Sequence, residues 1–196
     1  MKWIKFGILT LALAAVWASQ VGLAWAYTIS INQYVEHPSL NDSVLGFKEA
    51  LAELGIEAVY LEHNAQKSIA TVLQIVNLMK DERPDLILAV STPSAQSTVQ
   101  GIKDIPVLFT CVTDPVNAGL VASMEKPGGN VSGTTDMNPV ADQVALIREI
   151  QPEAKNLGVI YNPGEPNSVV QVSLLKKVAE KQGFIVVEGV APDTAG

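Results

Sequence analysis

Cysteine is almost missing from this chain of 196 residues: Cys111 stands alone. A single thiol excludes an intrachain disulfide and any zinc site built on cysteines. Beside an apolar run it reads as a buried, inert group. Runs of basic residues are missing too. The net charge is −7, and −9 once Lys2 and Lys5 are set aside with the leader described below (−7 − 2). Without clustered Lys and Arg there is nothing to grip a phosphate backbone, so nucleic acid is excluded as a partner. No Gly-x-Ser-x-Gly elbow, phosphate loop or His-Glu-x-x-His pair occurs. His37 and His63 are far apart, and a lone His before Pro38 reads as ordering a loop rather than holding a metal. Ser, His and Asp are all present, yet no nucleophile is nominated beside a base. No catalytic residue, metal or cofactor is therefore expected.

Long apolar runs are confined to the start. Lys2 and Lys5 form a positive n-region, followed by an apolar run from Phe6 to Ala18 and another from Val21. Ala24-Trp25-Ala26 places small residues where a signal peptidase reads, so residues 1–26 are read as a signal peptide cleaved before Tyr27. The stretch from Phe6 to Ala26 is also about long enough to span a bilayer as an anchor, but Ser19, Gln20 and the Ala-x-Ala ending favour cleavage. With no Cys at the junction to carry a lipid, a free periplasmic protein is expected.

From Tyr27 onward, short apolar runs alternate with stretches of helical period. Strands are expected at Thr28–Asn32, Ala58–Leu61, Asp85–Val90 and Ile105–Thr110. Between them Leu40, Val44, Phe47, Leu51 and Leu54 mark one helical face, as do Ile69, Val72, Val76 and Met79 after Ser68, a candidate N-cap. A shorter helix is expected from about Pro93 to Lys103. Such alternation indicates α/β structure with a parallel sheet and right-handed crossovers. The pattern breaks at Pro115, Gly119, Pro127, Gly128 and Gly129. It then resumes with strands Val131–Thr134, Leu157–Tyr161 and Phe184–Val190 and helices Pro139–Ile150 and Ser168–Gln182. We read an N-terminal lobe over 27–117, a crossing over 118–130 and a partial second lobe over 131–196, ending where another helix should begin.

Ligands of open α/β sheets bind outside the carboxyl ends of the strands. The turns leading into strands are charged, as in Lys80-Asp81-Glu82-Arg83 and Glu153-Ala154-Lys155. The turns leaving them read Gln33–Pro38, Ser91–Ser94, Thr113–Pro115, Thr134–Asp136 and Tyr161–Glu165, and none carries Lys or Arg. Lys67 is the nearby exception. An anionic group must then be held by hydroxyls and backbone amides at a helix start, which Ser91-Thr92-Pro93-Ser94 offers. Glu36, Asp114, Asp136 and Glu165 are placed to receive an ammonium. A carboxylate on a helix end and an amine on an acid describe a zwitterion. The plainer alternative is that each of these residues is a helix cap. Tyr34 and Tyr161, at strand ends, are candidates either for stacking on an aromatic ligand or for core packing.

The segments Gln33-Tyr34-Val35-Glu36-His37-Pro38, Ser91–Gln96, Val112–Val116, Glu125–Val131 and Tyr161–Glu165, in that order and spacing, resemble the ABC transporter substrate-binding proteins that include tryptophan- and tyrosine-type binding proteins. The resemblance implies two Rossmann-like lobes of the type 1 periplasmic binding protein kind, with the second lobe incomplete in this chain. It implies an amino-acid-like ligand closed between the lobes and a membrane permease of an ABC importer as partner. Contacts would come from Thr92, Ser94, Thr113 and Asp114 in the first lobe, and from Asp136, Asn162, Glu165, Asn167 and Ser168 in the second. A periplasmic sensor feeding a receptor or kinase is the alternative on the same fold.

Overall fold

The computed structural model describes residues 26–192. The expected signal peptide, Ala26 apart, and the final 193–196 lie outside the described residues. Strands β1 (Tyr27–Gln33), β2 (Ala58–Asn64), β3 (Leu86–Val90) and β4 (Val107–Val112) alternate with helices α1 (Pro38–Glu53), α2 (Ile69–Glu82) and α3 (Thr92–Gly101). After the Gly/Pro-rich crossing come β5 (Val131–Thr135), α4 (Val140–Ile150), β6 (Asn156–Tyr161), α5 (Pro166–Lys181) and β7 (Ile185–Val190). Every expected element is present in its expected order. A five-stranded sheet runs β2-β1-β3-β4-β5 and a two-stranded sheet pairs β6 with β7, all parallel.

The strand orders put β5 in the larger sheet, where Val131 pairs with Val107 and Gly133 with Phe109. By sequence alone the second lobe starts at this strand. Five residues of Val-Ser-Gly-Thr-Thr carry no local sign of which sheet they join. That is decided by the crossing, which returns the chain to the free edge of β4, with the Val107 amide donating to Asn130 O at 2.8 Å. At Gly133 an added Cβ would collide with the carbonyl and ring of Phe109, so the missing side chain is what lets β5 approach.

Both faces of the large sheet are filled. Ile29, Ile31, Leu88 and Val90 meet Val44, Leu40, Phe47 and Leu51 of α1. Val72, Ile75, Val76 and Met79 of α2, with Ala95 and Val99 of α3, meet Ile87, Ala89, Val107, Phe109 and Val112 on the other side. Each fully buried side chain of this size contributes roughly 1.5–3 kcal/mol of transfer free energy. The ends of the predicted stripes behave differently: Ile69 opens α2 and Leu54 caps α1, and both are exposed. Ser68 does cap α2, its Oγ accepting from Thr71 N at 3.2 Å.

The β4–β5 register shifts between Phe109 and Val112, and Cys111 has φ 54°. This is a β-bulge. Because of it Thr110 and Cys111, consecutive in sequence, both lie towards α1. The Cys111 thiol donates to Ser43 Oγ at 3.1 Å, so it is half-buried and engaged.

The small sheet rests on α4 and α5 through Val140, Val144, Ala179 and Phe184, with Leu157 and Val186 against them. Arg148 stacks 3.7 Å over the Phe184 ring and its guanidinium donates to three carbonyls, of Pro152, Ala154 and Gln182. The other face carries Ile160, Ile185 and Val187, all exposed.

Candidate ligand-binding site

The helices change sides of the large sheet between β1 and β3, so a crevice opens beyond their carboxyl ends. Against that end lies the start of α5 from the small lobe. The two lobes enclose a cavity of about 40 Å³, walled by Thr92, Asp114, Asn117 and Ala118 on one side and Pro166, Asn167 and Val170 on the other. That is room for a few waters at roughly 10–15 Å³ each. Larger hollows exist elsewhere, one of about 350 Å³ over β4 and β5 beside α1 and one of about 210 Å³ beside Glu36. The small cavity is nevertheless the candidate site, because both lobes build it and because its polar groups are unmet. Among the described residues, the buried side-chain atoms without a hydrogen-bond partner are Thr92 Oγ1 and Asn167 Oδ1, and both residues wall this cavity. A buried polar atom left unpaired costs about 1–3 kcal/mol, and two orphans on residues of one cavity wall point to a molecule that would pair them.

Thr92 opens α3 and is 2% exposed. Ser91, its N-cap residue, has φ 82° and ψ 152° and makes no side-chain cap bond. A non-glycine residue held there is strained, and the uncapped first turn leaves amide donors aimed at the crevice. Asp114 is half-buried; its Oδ1 accepts from Asn117 N at 2.9 Å, and its Oδ2 accepts no hydrogen bond among the described residues. Thr113 is buried, with its hydroxyl 3.5 Å from Gln171 Nε2 of α5 and its carbonyl accepting from Thr135 Oγ1 at 2.7 Å. Asn167, in the first turn of α5, faces Thr92 and Asp114 across the cavity.

The remaining sequence candidates lie elsewhere. Ser94 is fully buried and turns inward, donating to Asn32 Oδ1 at 3.4 Å. Glu36 is exposed and belongs to the hollow bounded by Gln33, Asn41 and Asn64, on the β2 side. Asp136 is exposed, its amide tied to Val112 O at 3.1 Å. Asn162 shapes its own turn: Oδ1 accepts from Gly164 N at 2.9 Å, and Nδ2 donates to Glu165 Oε1 and Pro192 O. Ser168 is half-buried, one residue beyond the cavity wall. His37 caps α1, its Nδ1 accepting from Ser39 N at 3.3 Å.

The tyrosines divide. Tyr34 packs against the α2/α3 core and donates to Lys67 O at 3.0 Å. Burial raises its pKa, with a further rise from the Glu165 carboxylate, so Glu165 of the small lobe lies within electrostatic reach of the large one. Tyr161 donates to Glu188 Oε2 at 3.0 Å, and that bond is the main reason its pKa rises. Its hydroxyl is held on its own sheet, away from the cavity walls.

Two polar residues at this end escaped the sequence reading. Asn117 follows the Asp114 turn, where Asn is ordinary turn chemistry. Gln171 bridges Thr113 and Asn138 Nδ2, which donates to its Oε1 at 2.7 Å; on a helix surface it had no distinguishing signal.

An α/β chain with two sheets, an incomplete second one, and unmet polar groups between them defines the two-lobed ligand-binding class known as type 1 periplasmic binding proteins. The family model described as ABC transporter substrate binding protein matches residues 28–196, and the chain belongs to that family. It is 46% identical over 164 residues to the Tyrosine-binding protein of Clostridioides difficile (strain R20291), an alignment covering 82% of this chain and 48% of that relative. Its fold matches the solved ABC domain in complex with L-Trp from Streptococcus pneumonia with a TM-score of 0.82 at 35% identity, covering 87% and 59% of the two chains. Against a ligand-free, open substrate binding protein from Clostridium difficile the TM-score is 0.68 at 44% identity, over the same shares. The chain thus spans about half the length of the curated relatives it matches.

Proposed function

We propose that this chain belongs to the extracytoplasmic solute-binding component of an ABC importer, taking a zwitterionic amino acid between its lobes and presenting it to a membrane permease. It acts by binding, with no chemistry on the ligand. The carrying observation is the pair of orphaned buried atoms: Asn167 Oδ1 is an acceptor seeking a donor, and the Thr92 hydroxyl sits beside free helix amides that seek an acceptor. Asp114 adds a negative charge, and no Lys or Arg lines the cavity. An ammonium fits the Asp114–Asn167 side and a carboxylate the α3 side. The named ligands of the relatives, tyrosine and L-Trp, are amino acids and support an aromatic one here. The better match to the L-Trp complex than to the open relative, despite lower identity, supports a drawn-together arrangement. Export by cleavage after Ala26 agrees with the family, and no helix among the described residues is long and apolar enough to cross a membrane.

Calorimetry with L-tyrosine and L-tryptophan tests this. Asp114→Asn keeps shape and removes charge, and should weaken binding about ten- to a hundredfold, since each ~1.4 kcal/mol is tenfold. A deaminated analogue should bind poorly to the parent and lose little more on the variant, the non-additivity of a direct pair. Parental affinity in both Asp114→Asn and Glu165→Gln would reduce these acids to turn formers and overturn the zwitterion reading.

A further inference from the structure

We propose that Asn32, which has no surface on the crevice, is the positioning residue of the ligand site: it clamps α3 to the sheet so that the uncapped first turn faces the ligand. The inference rests on reading α3 as the carboxylate-binding wall.

Helix starts are ordinarily fixed by an N-cap side chain, but Ser91 supplies none. Apolar packing does little to replace it at this end, because Val99 and the C-cap Ile102 anchor the far end, whereas the buried apolar residues in the first turns of α3 are Pro93 and Ala95. Such short side chains define depth against the sheet but leave sliding of the first turns along the helix axis weakly opposed. Asn32 supplies what is missing. It is fully buried near the carboxyl end of β1, on the opposite face from Ile29 and Ile31 and towards α3. Its Nδ2 donates to Thr98 Oγ1 at 3.1 Å and its Oδ1 accepts from Ser94 Oγ at 3.4 Å. Residues 94 and 98 are four apart and therefore share one helix face. One amide thus grips successive turns, and its directional bonds fix α3 along its axis as well as across it. Ser94, Asn32 and Thr98 are all fully buried, so the clamp works in a low dielectric where such bonds are strongest. Held this way, the helix keeps its first turn taut although nothing on the crevice side holds it.

The alternative is that Asn32 merely satisfies two buried hydroxyls. Thr98→Val separates the two, since it keeps the shape, breaks one arm of the clamp and touches no residue of the cavity wall. Amide exchange at Ala95, whose N–H donates to Ser91 O at 3.0 Å, should speed up at least tenfold in unliganded Thr98→Val. Its affinity for L-tyrosine and L-tryptophan should fall about tenfold. Ile87→Val, a shrinkage in the adjoining core, should lower the melting temperature and leave both readouts unchanged. Asn32→Leu should repeat the Thr98→Val result more strongly; if it does not fold, Thr98→Val decides alone. A Thr98→Val protein that melts earlier but keeps parental exchange at Ala95 and parental affinity would overturn the clamp. Should neither amino acid bind the parent, the exchange measurement still decides the clamp, while the functional reading falls.

Discussion

In the five-stranded sheet, α1 covers one face and α2 with α3 the other, and Ile87, Ala89 and Val90 between them have no exposure. In the two-stranded sheet, α4 and α5 cover a single face, and on the other Ile160 and Ile185 are 78% and 65% exposed. The sequence makes both from the same material, apolar strands alternating with amphipathic helices. Parallel strands are stable when both faces are covered, so the two sheets differ in completeness rather than in kind. The large sheet can hold a strained, uncapped helix start because its own core does not depend on that helix alone.

The contrast breaks most directly on matched truncations. Met79→Ala, at a fully buried position of α2, should cost about 2–5 kcal/mol in denaturant unfolding. Ile160→Ser, on the bare face of β6, should change stability by no more than about 0.5 kcal/mol. Equal costs would mean that burial does not separate the sheets. A smaller effect sharpens the edge of the large sheet. Gly133→Ala should cost roughly 1–3 kcal/mol through the clash with Phe109, and an equivalent change at Gly158, whose Cβ would meet nothing, should not. A melting curve for each suffices.

The smallest effect lies on the surface of the small lobe. Glu188 has a lowered pKa, chiefly because Lys176 donates to it and next because Tyr161 does. A lowered carboxyl pKa means that its contribution to stability is present above the ordinary value and is lost as pH falls through the lowered one. Lys176→Met should move the Glu188 titration back up towards the usual carboxylate range, read by NMR, with the Tyr161 bond still holding it somewhat down. An unmoved titration would assign the shift elsewhere.

Periodicity made every helix and strand legible, because burying one face demands a regular spacing whatever the neighbours are. Sheet membership was not legible for β5, since its partner is set by a long crossing and not by its own side chains. Of the cavity walls, Asn167 was nominated by the family resemblance, and Thr92 and Asp114 by their position after strands. The same rule also nominated Glu36 and Asp136, because loop position tells which end of the sheet a residue occupies but not which loops meet the other lobe. Asn32 was invisible for the opposite reason: a polar residue inside a strand reads as solvent-facing, and only the third dimension shows α3 lying over it.

The bulge in β4 has a consequence for how this protein tolerates change in length. Strict alternation would send Thr110 and Cys111 to opposite faces, yet both lie towards α1, and Val112 returns to the α2/α3 core with Phe109. The strand is therefore out of phase with itself by one residue just before Thr113 and Asp114. A deletion of Cys111 would remove the bulge and leave Phe109 and Val112 alternating on the same side, whereas one further residue inserted there would drive Val112 out of its core and reverse the side on which Thr113 emerges. Substitutions in β4 alter what is packed there, whereas the gain of one residue alters which way the Thr113–Asp114 loop is aimed.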